Sequence, residues 1–205
     1  AYANARRYGF NHVLYVPLMV DTEIYCPRES EERRAWQAKV GGDFFVLATA
    51  RLDSMWKKSE IGIEGFARFS AKCEGARLVL IGWGHDMEKA QHRLSALGLS
   101  EKTVLLPVSG KRRLIEYLRS ADCLLDQFRF GYYGATALEA MSCGVPVIMR
   151  IIEAQYDALC PTGSPPIENS ASYADVENAL LHLARSPEYA NKKSAACRRW
   201  IELNH

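Results

Sequence analysis

Arg51 directly follows the apolar run Phe44–Ala50, and Lys57 and Lys58 come six and seven residues after it. A guanidinium and an ammonium fixed at the end of a buried strand can neutralise a phosphate leaving group as its negative charge grows, without help from a metal. Solvated surface charge is the plainer account of the same residues. A second group of candidates is Gly131-Tyr132-Tyr133-Gly134, followed by Ala135, Thr136 and the carboxylate of Glu139. The glycines let backbone approach a ligand closely, and the first N–H groups of a helix opening at Ala135 are free to meet a phosphate. Glu139, one turn into that helix, either complements the helix dipole or accepts hydrogen bonds from the paired hydroxyls of a ligand. Tyr132 and Tyr133 suit packing and sugar stacking equally. The turn Gly82-Trp83-Gly84 and the loop Pro107-Val108-Ser109-Gly110-Lys111 add Gly82, Gly84 and Lys111 to the candidates; His85 reads as a surface residue.

Such residues act together only if a scaffold brings the ends of distant segments side by side. Cys123-Leu124-Leu125 and Val145–Met149 are short apolar runs of the kind a buried parallel strand shows. Between them, Ala135 to Cys143 is rich in helix formers until Gly144 stops it. Upstream, apolar strands at Phe44–Ala50, Ala76–Ile81 and Thr103–Leu106 alternate with helices over 60–73, 87–97 and 112–119. This alternation predicts an α/β chain, a doubly wound parallel sheet flanked by helices, with ligands at the carboxyl ends of the strands. Spacing alone leaves the strand order open. Further expectations are a helical end and turn over residues 1–12, a short strand at His12–Leu18, a loop at Val20–Pro27 and an exposed helix from Glu29 to Ala38. After a loop at 161–167, Ser170 or Ser172 caps a helix to Ala184, and Ser186-Pro187 starts a last one to Leu203.

Bulk properties narrow the class. With 205 residues, 48% of them hydrophobic, the chain can bury one good core, and one domain is the default expectation. A formal charge of +2 gives no electrostatic argument for nucleic acid, and none is expected as a partner. The six cysteines lie far apart with no ligand-like spacing, which favours a reducing, cytoplasmic setting. No zinc cluster and no DxD-type acid pair is visible, so neither a metal nor another cofactor is expected. No apolar run reaches the ~20 residues of a membrane span.

The stretch 120–150 also carries a resemblance. Ala121-Asp122-Cys123-Leu124-Leu125, then Phe130-Gly131-Tyr132-Tyr133-Gly134, then Leu138-Glu139-Ala140-Met141-Ser142-Cys143-Gly144-Val145-Pro146-Val147-Ile148 is similar to the pattern aDv.l.PS..E.fG...lEAma.G.PVi. That is the donor-binding signature of retaining glycosyltransferases of the two-domain GT-B fold, in particular glycosyltransferase family 4 (group 1 type). Asp126-Gln127-Phe128 in place of Pro-Ser resembles a subgroup acting in polysaccharide and surface-glycan assembly. The likeness extends over about residues 13 to 200, and Val20–Pro27 looks like the segment that leads from the first GT-B domain into the second.

The resemblance implies a Rossmann-like half of a GT-B enzyme. Residues 1–27 would be the end of an N-terminal domain and the interdomain segment, and 28–205 the nucleotide-sugar-binding domain. The acceptor-binding domain is expected to be missing, which would leave the fragment inactive by itself. The expected partners are a nucleotide-sugar donor and a glycan or lipid-linked acceptor, in the cytoplasm or peripherally at the inner face of the membrane. Arg51 and Lys57 take the diphosphate role of an R.....KG pattern, with Lys58 in place of its glycine. Glu139 is the second acid of the E-x7-E motif and would hold the ribose. Gly82, Gly84 and Lys111 fall in the loops lying along the nucleotide. The first acid of that motif falls on Gly131, and Asp126, five residues earlier, is the candidate substitute. Two other readings share these features: a GT-B-like sugar-nucleotide epimerase, and a degenerate domain kept for assembly, supported by Gly131 and Lys58.

Overall fold

A computed structural model describes residues 2–10, 12, 16–156, 160 and 162–205 of the chain. Its strands are β1 (Phe44–Ala48), β2 (Ala76–Ile81), β3 (Thr103–Leu106), β4 (Cys123–Leu125), β5 (Val147–Met149) and β6 (Glu168–Asn169). They form one sheet in the order β3-β2-β1-β4-β5-β6, every neighbouring pair parallel. The helices are α1 (Tyr2–Arg7), α2 (Glu32–Val40), α3 (Ser59–Ser70), α4 (Met87–Ala96), α5 (Lys111–Ser120), α6 (Ala135–Ser142), α7 (Tyr173–Arg185) and α8 (Pro187–Asn204).

The doubly wound arrangement follows from strands that are apolar on both sides. Along β1, Phe45 and Leu47 enter one core with Trp36 of α2, Tyr117 and Leu118 of α5, Leu138 and Met141 of α6, and Trp200 of α8. Val46, between them, enters the opposite core with Phe66 and Phe69 of α3, Leu94 of α4 and Leu180 of α7. Because successive side chains of a strand point to opposite faces, the run FFVLA requires cover on both.

The seam between β1 and β4 is stitched at its amino end by Asp122. Its Oδ2 accepts from the Phe45 backbone N–H at 2.7 Å and from Arg33 Nη1 at 2.9 Å. Burial pushes this carboxyl up, and the two donors oppose that shift. Asp122 belongs to the sequence signature of the stretch 120–150, yet it stands at the end of the strands away from the loops that carry the candidate residues; its work is strand alignment.

Residues 20–27 form a strap laid on α5, α6 and α8. Arg119 donates to the carbonyls of Ile24 (2.7 Å) and Cys26 (3.1 Å), and Arg198 Nη1 donates to those of Thr22 (3.1 Å) and Tyr25 (2.8 Å). Ser142 Oγ donates to the Tyr25 carbonyl at 2.5 Å.

Helix bounds depart from expectation by a few residues only, and Ser172 is the cap of α7, closing a reciprocal box with Asp175. β6 is a strand the sequence reading lacked. It has two residues, Glu-Asn, too short and too polar for any apolar alternation to reveal. Of the expected strand at His12–Leu18, residues 13–15 lie outside those described, and residues 12 and 16–18 are not in a strand.

At Gly65, α3 lies close against α7. A Cβ there would lie 2.5 Å from Val176 Cβ and 3.0 Å from the Tyr173 carbonyl oxygen. Gly65→Ala should therefore destabilise the fold by about 1–3 kcal/mol through overpacking, read from chemical denaturation with an unchanged far-ultraviolet spectrum. An unaltered midpoint would mean that the two helices have slack between them.

Candidate functional site

The strand order reverses direction between β1 and β4, so the loops leaving these strands, 49–58 and 126–134, border the crevice outside the strands' carboxyl ends where such sheets take ligands. Lys111 enters from the β3 side, opening α5, and Glu139 from the β4 side, one turn into α6.

In the β1 loop, Asp53 is buried and holds the surrounding chain in place. Its Oδ1 accepts from the Trp56 N–H at 2.8 Å, its own N–H donates to Ser59 Oγ at 3.1 Å, and its Oδ2 pairs with Arg51 Nη2 at 3.0 Å. The loop after β2 buttresses it. Leu52 donates to the Trp83 carbonyl (2.8 Å) and accepts from the Asp86 N–H (3.2 Å). Gly84, at φ +119, is required at this contact, since a Cβ would lie 2.4 Å from the Leu52 oxygen and 2.9 Å from Arg51 Cγ. Asp86 accepts from the backbone N–H and hydroxyl of Ser54, both at 2.6 Å, which holds its carboxyl below the usual range. At Gly82 an added Cβ meets the flexible end of Met87. Gly84 thus has a positional role, setting the Arg51 loop, while Gly82 shows no comparable constraint.

Lys58 is left-handed, φ 49° and ψ 47°, and no other non-glycine residue among those described has positive φ. This explains why the related pattern carries glycine at that position. The Lys57 carbonyl accepts from the Phe128 N–H at 2.9 Å, tying the two loops across the crevice. The Lys57 ammonium lies 5.6 Å from the centroid of the Phe130 ring, which stacks on Trp56 at 5.8 Å. Asp126 lies just past β4, and burial pushes its carboxyl up; the Lys57 charge opposes that shift. Of the two lysines, Lys57 is the one with these contacts to the β4 loop.

The β4 loop is organised by a residue absent from the sequence candidates. The Gln127 side chain donates to the carbonyls of Tyr132 and Arg150, both at 2.9 Å, and accepts from the N–H groups of Arg129 (2.9 Å) and Phe130 (2.7 Å). The signal available in sequence was a pair of polar residues, Asp126-Gln127, inserted without a break into an apolar strand end. Gly131 is buried with φ +75, bridged to Ile151, and a Cβ on it would lie 2.6 Å from Ile152 Cγ1. Gly134, by contrast, has open space where a side chain would go. Its extended backbone (ψ 179°) turns the chain into α6, whose first residues Ala135 and Thr136 open toward solvent.

The tyrosines divide. Tyr132 is half exposed. Tyr133 turns into packing: its ring stacks on Tyr156 at 4.8 Å and meets Trp200 edge-on, and its hydroxyl lies 3.2 Å from His205 Nε2. The sequence candidates therefore include one tyrosine facing solvent and one belonging to the core.

Glu139 is 7% exposed. Its Oε1 accepts from Lys111 Nζ at 2.5 Å, and its Oε2 is buried without a hydrogen-bond partner. A buried carboxylate oxygen left open one turn into a helix is an acceptor in place for a ligand's hydroxyls. Among the described residues, no three His, Cys, Asp or Glu side chains gather as a metal site, and no helix is long and apolar enough to cross a membrane.

Two outcomes follow from this geometry. Lys58→Gly relieves a left-handed side chain and should stabilise the protein by up to about 1 kcal/mol, measured by thermal unfolding; a loss would show that the Lys58 side chain holds the loop. Asp126 binds its proton more tightly when folded than when unfolded, so its contribution to stability is present at low pH and is lost as pH rises from ~4 through the folded value. Asp126→Asn should therefore gain stability relative to the parent as pH rises, and a difference that is flat between acid and neutral pH would contradict the buried assignment.

Comparison with known proteins places this geometry. Over 149 residues the chain is 27% identical to mannosylfructose-phosphate synthase of Agrobacterium fabrum, covering 68% of this chain and 33% of that protein. Over 194 residues it is 25% identical to D-inositol 3-phosphate glycosyltransferase of Xylanimonas cellulosilytica, covering 86% and 45%. It thus spans from a third to about half the length of these relatives. Its fold matches the crystallised C-terminal domain of a glycosyl transferase group 1 family protein, LpcC, of Francisella tularensis, with a TM-score of 0.70 at 18% identity, covering 89% of this chain and 96% of that one. It also matches Anabaena HepE, solved in complex with UDP and glucose, with a TM-score of 0.72 at 17% identity over 91% of this chain and 51% of that one. The family model for glycosyl transferases group 1 matches residues 29–198, so the chain belongs to that family.

Proposed function

We propose that this chain is the donor-binding half of a retaining glycosyltransferase that takes its sugar from a nucleoside diphosphate. The observation that carries this reading is Glu139: a nearly buried carboxylate at the crevice, one oxygen held by Lys111 and the other without a partner. Two adjacent ribose hydroxyls are a fitting ligand for such an oxygen pair, because each brings a donor and carboxylate oxygens only accept. The N–H groups of Ala135 and Thr136 then face the phosphates. As the bond between the sugar's anomeric carbon and the diphosphate oxygen breaks, Arg51, steadied by Asp53, and Lys57 take up the charge left on the diphosphate. Those fixed cations do the work a metal would do elsewhere, so no metal is required by this scheme.

The acceptor, a glycan or a lipid-linked sugar, is assigned to a second domain resembling the remainder of the longer relatives. The reaction then takes place between the halves, in polysaccharide or surface-glycan assembly on the cytoplasmic side. A scaffolding role is the competing account, and it draws on Gly131, whose surroundings leave no room for the acid that would contact the transferred sugar.

Calorimetric titration with UDP, GDP and ADP and their sugar conjugates tests the reading. One nucleotide should bind saturably, and Arg51→Ala and Glu139→Ala should each weaken it about tenfold or more, the loss of a charged contact being worth ~1.5–3 kcal/mol. Failure of the folded chain to bind any of the three would favour the scaffolding account.

A further inference from the structure

Lys111 occupies the first position of α5, where a positive charge works against the helix dipole. Its side chain is 62% exposed, yet it reaches across to a carboxylate whose side chain is 9% exposed, on a helix that starts from a different strand. Its Nζ lies 2.5 Å from Glu139 Oε1. Among the described residues Lys111 makes the one ion pair to Glu139.

We propose that Lys111 is a positioning residue of the nucleotide site, holding one oxygen of the Glu139 carboxylate so that the open one meets a ribose diol. This rests on the reading of Glu139 as the ribose acceptor. Lys111 does not touch the transferred group; it acts through Glu139, and does so before the ligand arrives, which removes a reorganisation cost from binding.

The test compares UDP, GDP and ADP with their 2′,3′-dideoxy counterparts by calorimetry. The parent chain and the variants Lys111→Met and Lys111→Arg would be used, each confirmed folded by thermal melting. The parent should prefer the ribose form of its nucleotide by about tenfold. Lys111→Met should lose most of that preference, weakening the ribose form while leaving the dideoxy form unchanged, and Lys111→Arg should retain it. If Lys111→Met keeps the full preference, or weakens both forms equally, the positioning role is overturned while the donor reading stands. If the parent binds nucleotide without preferring ribose, Glu139 is not the diol acceptor and the inference fails with it. Absence of all nucleotide binding by the folded parent overturns the donor reading itself, and this inference with it.

Discussion

Three residues of β1, Val46 to Ala48, pair in parallel with three of β4, Cys123 to Leu125, and the candidate site depends on that short seam. The chain leaves the seam in two directions, toward β2 and β3 on one side and β5 and β6 on the other. The β1 and β4 loops therefore meet at the switch point, where the Phe128 N–H on the Lys57 carbonyl and the Trp56–Phe130 stack hold them together. Asp122 sets the register from the opposite end, by taking the Phe45 N–H and the Arg33 guanidinium on one carboxylate oxygen. Slip of this pairing by one residue would reverse the faces of Phe45, Val46 and Leu47, and both cores would be lost together.

Much of this was legible in the sequence because the strands are buried on both faces and read as unbroken apolar runs. The motif from Leu138 to Ile148 also combined helix formers, a glycine stop and a strand in one uninterrupted stretch. Strand order was not legible, since it depends on which edges meet in space and no local pattern encodes that. The positions of Arg51, Lys57 and Glu139 at strand and helix ends followed from their neighbours in sequence. What each one touches did not. The Arg51 partner is nearby at Asp53, but Lys111 is 28 residues from Glu139, and the Tyr25 carbonyl is 117 residues from the Ser142 hydroxyl that donates to it. Gln127 escaped notice for a related reason: a polar residue in an apolar stretch gains meaning only when its four hydrogen bonds can be counted.

The crevice region holds three buried carboxyl groups managed in three ways. Asp53 is satisfied by backbone and by Arg51, and so serves to fix a loop. Asp126 is buried with the Lys57 charge opposing that burial, and favours its proton. Glu139 has a lysine on one oxygen and no hydrogen-bond partner on the other. The chemistry open to each is set by its partners, since all three are carboxyl groups buried to a similar degree. This separates a structural acid from one available to a ligand on physical grounds.

Gly131 gives the loop a particular relation to its own history. Its left-handed backbone and the Ile152 side chain beside it each resist any replacement, and the backbone bridge to Ile151 holds both in place. An acid cannot enter that position through one substitution, because the backbone and the neighbour at 152 would have to change with it. Any intermediate sequence would carry a strained or underpacked loop. Under selection the present arrangement therefore acts as a ratchet: change in this loop is channelled to residues that can vary singly, such as the half-exposed Tyr132, while the glycine stays.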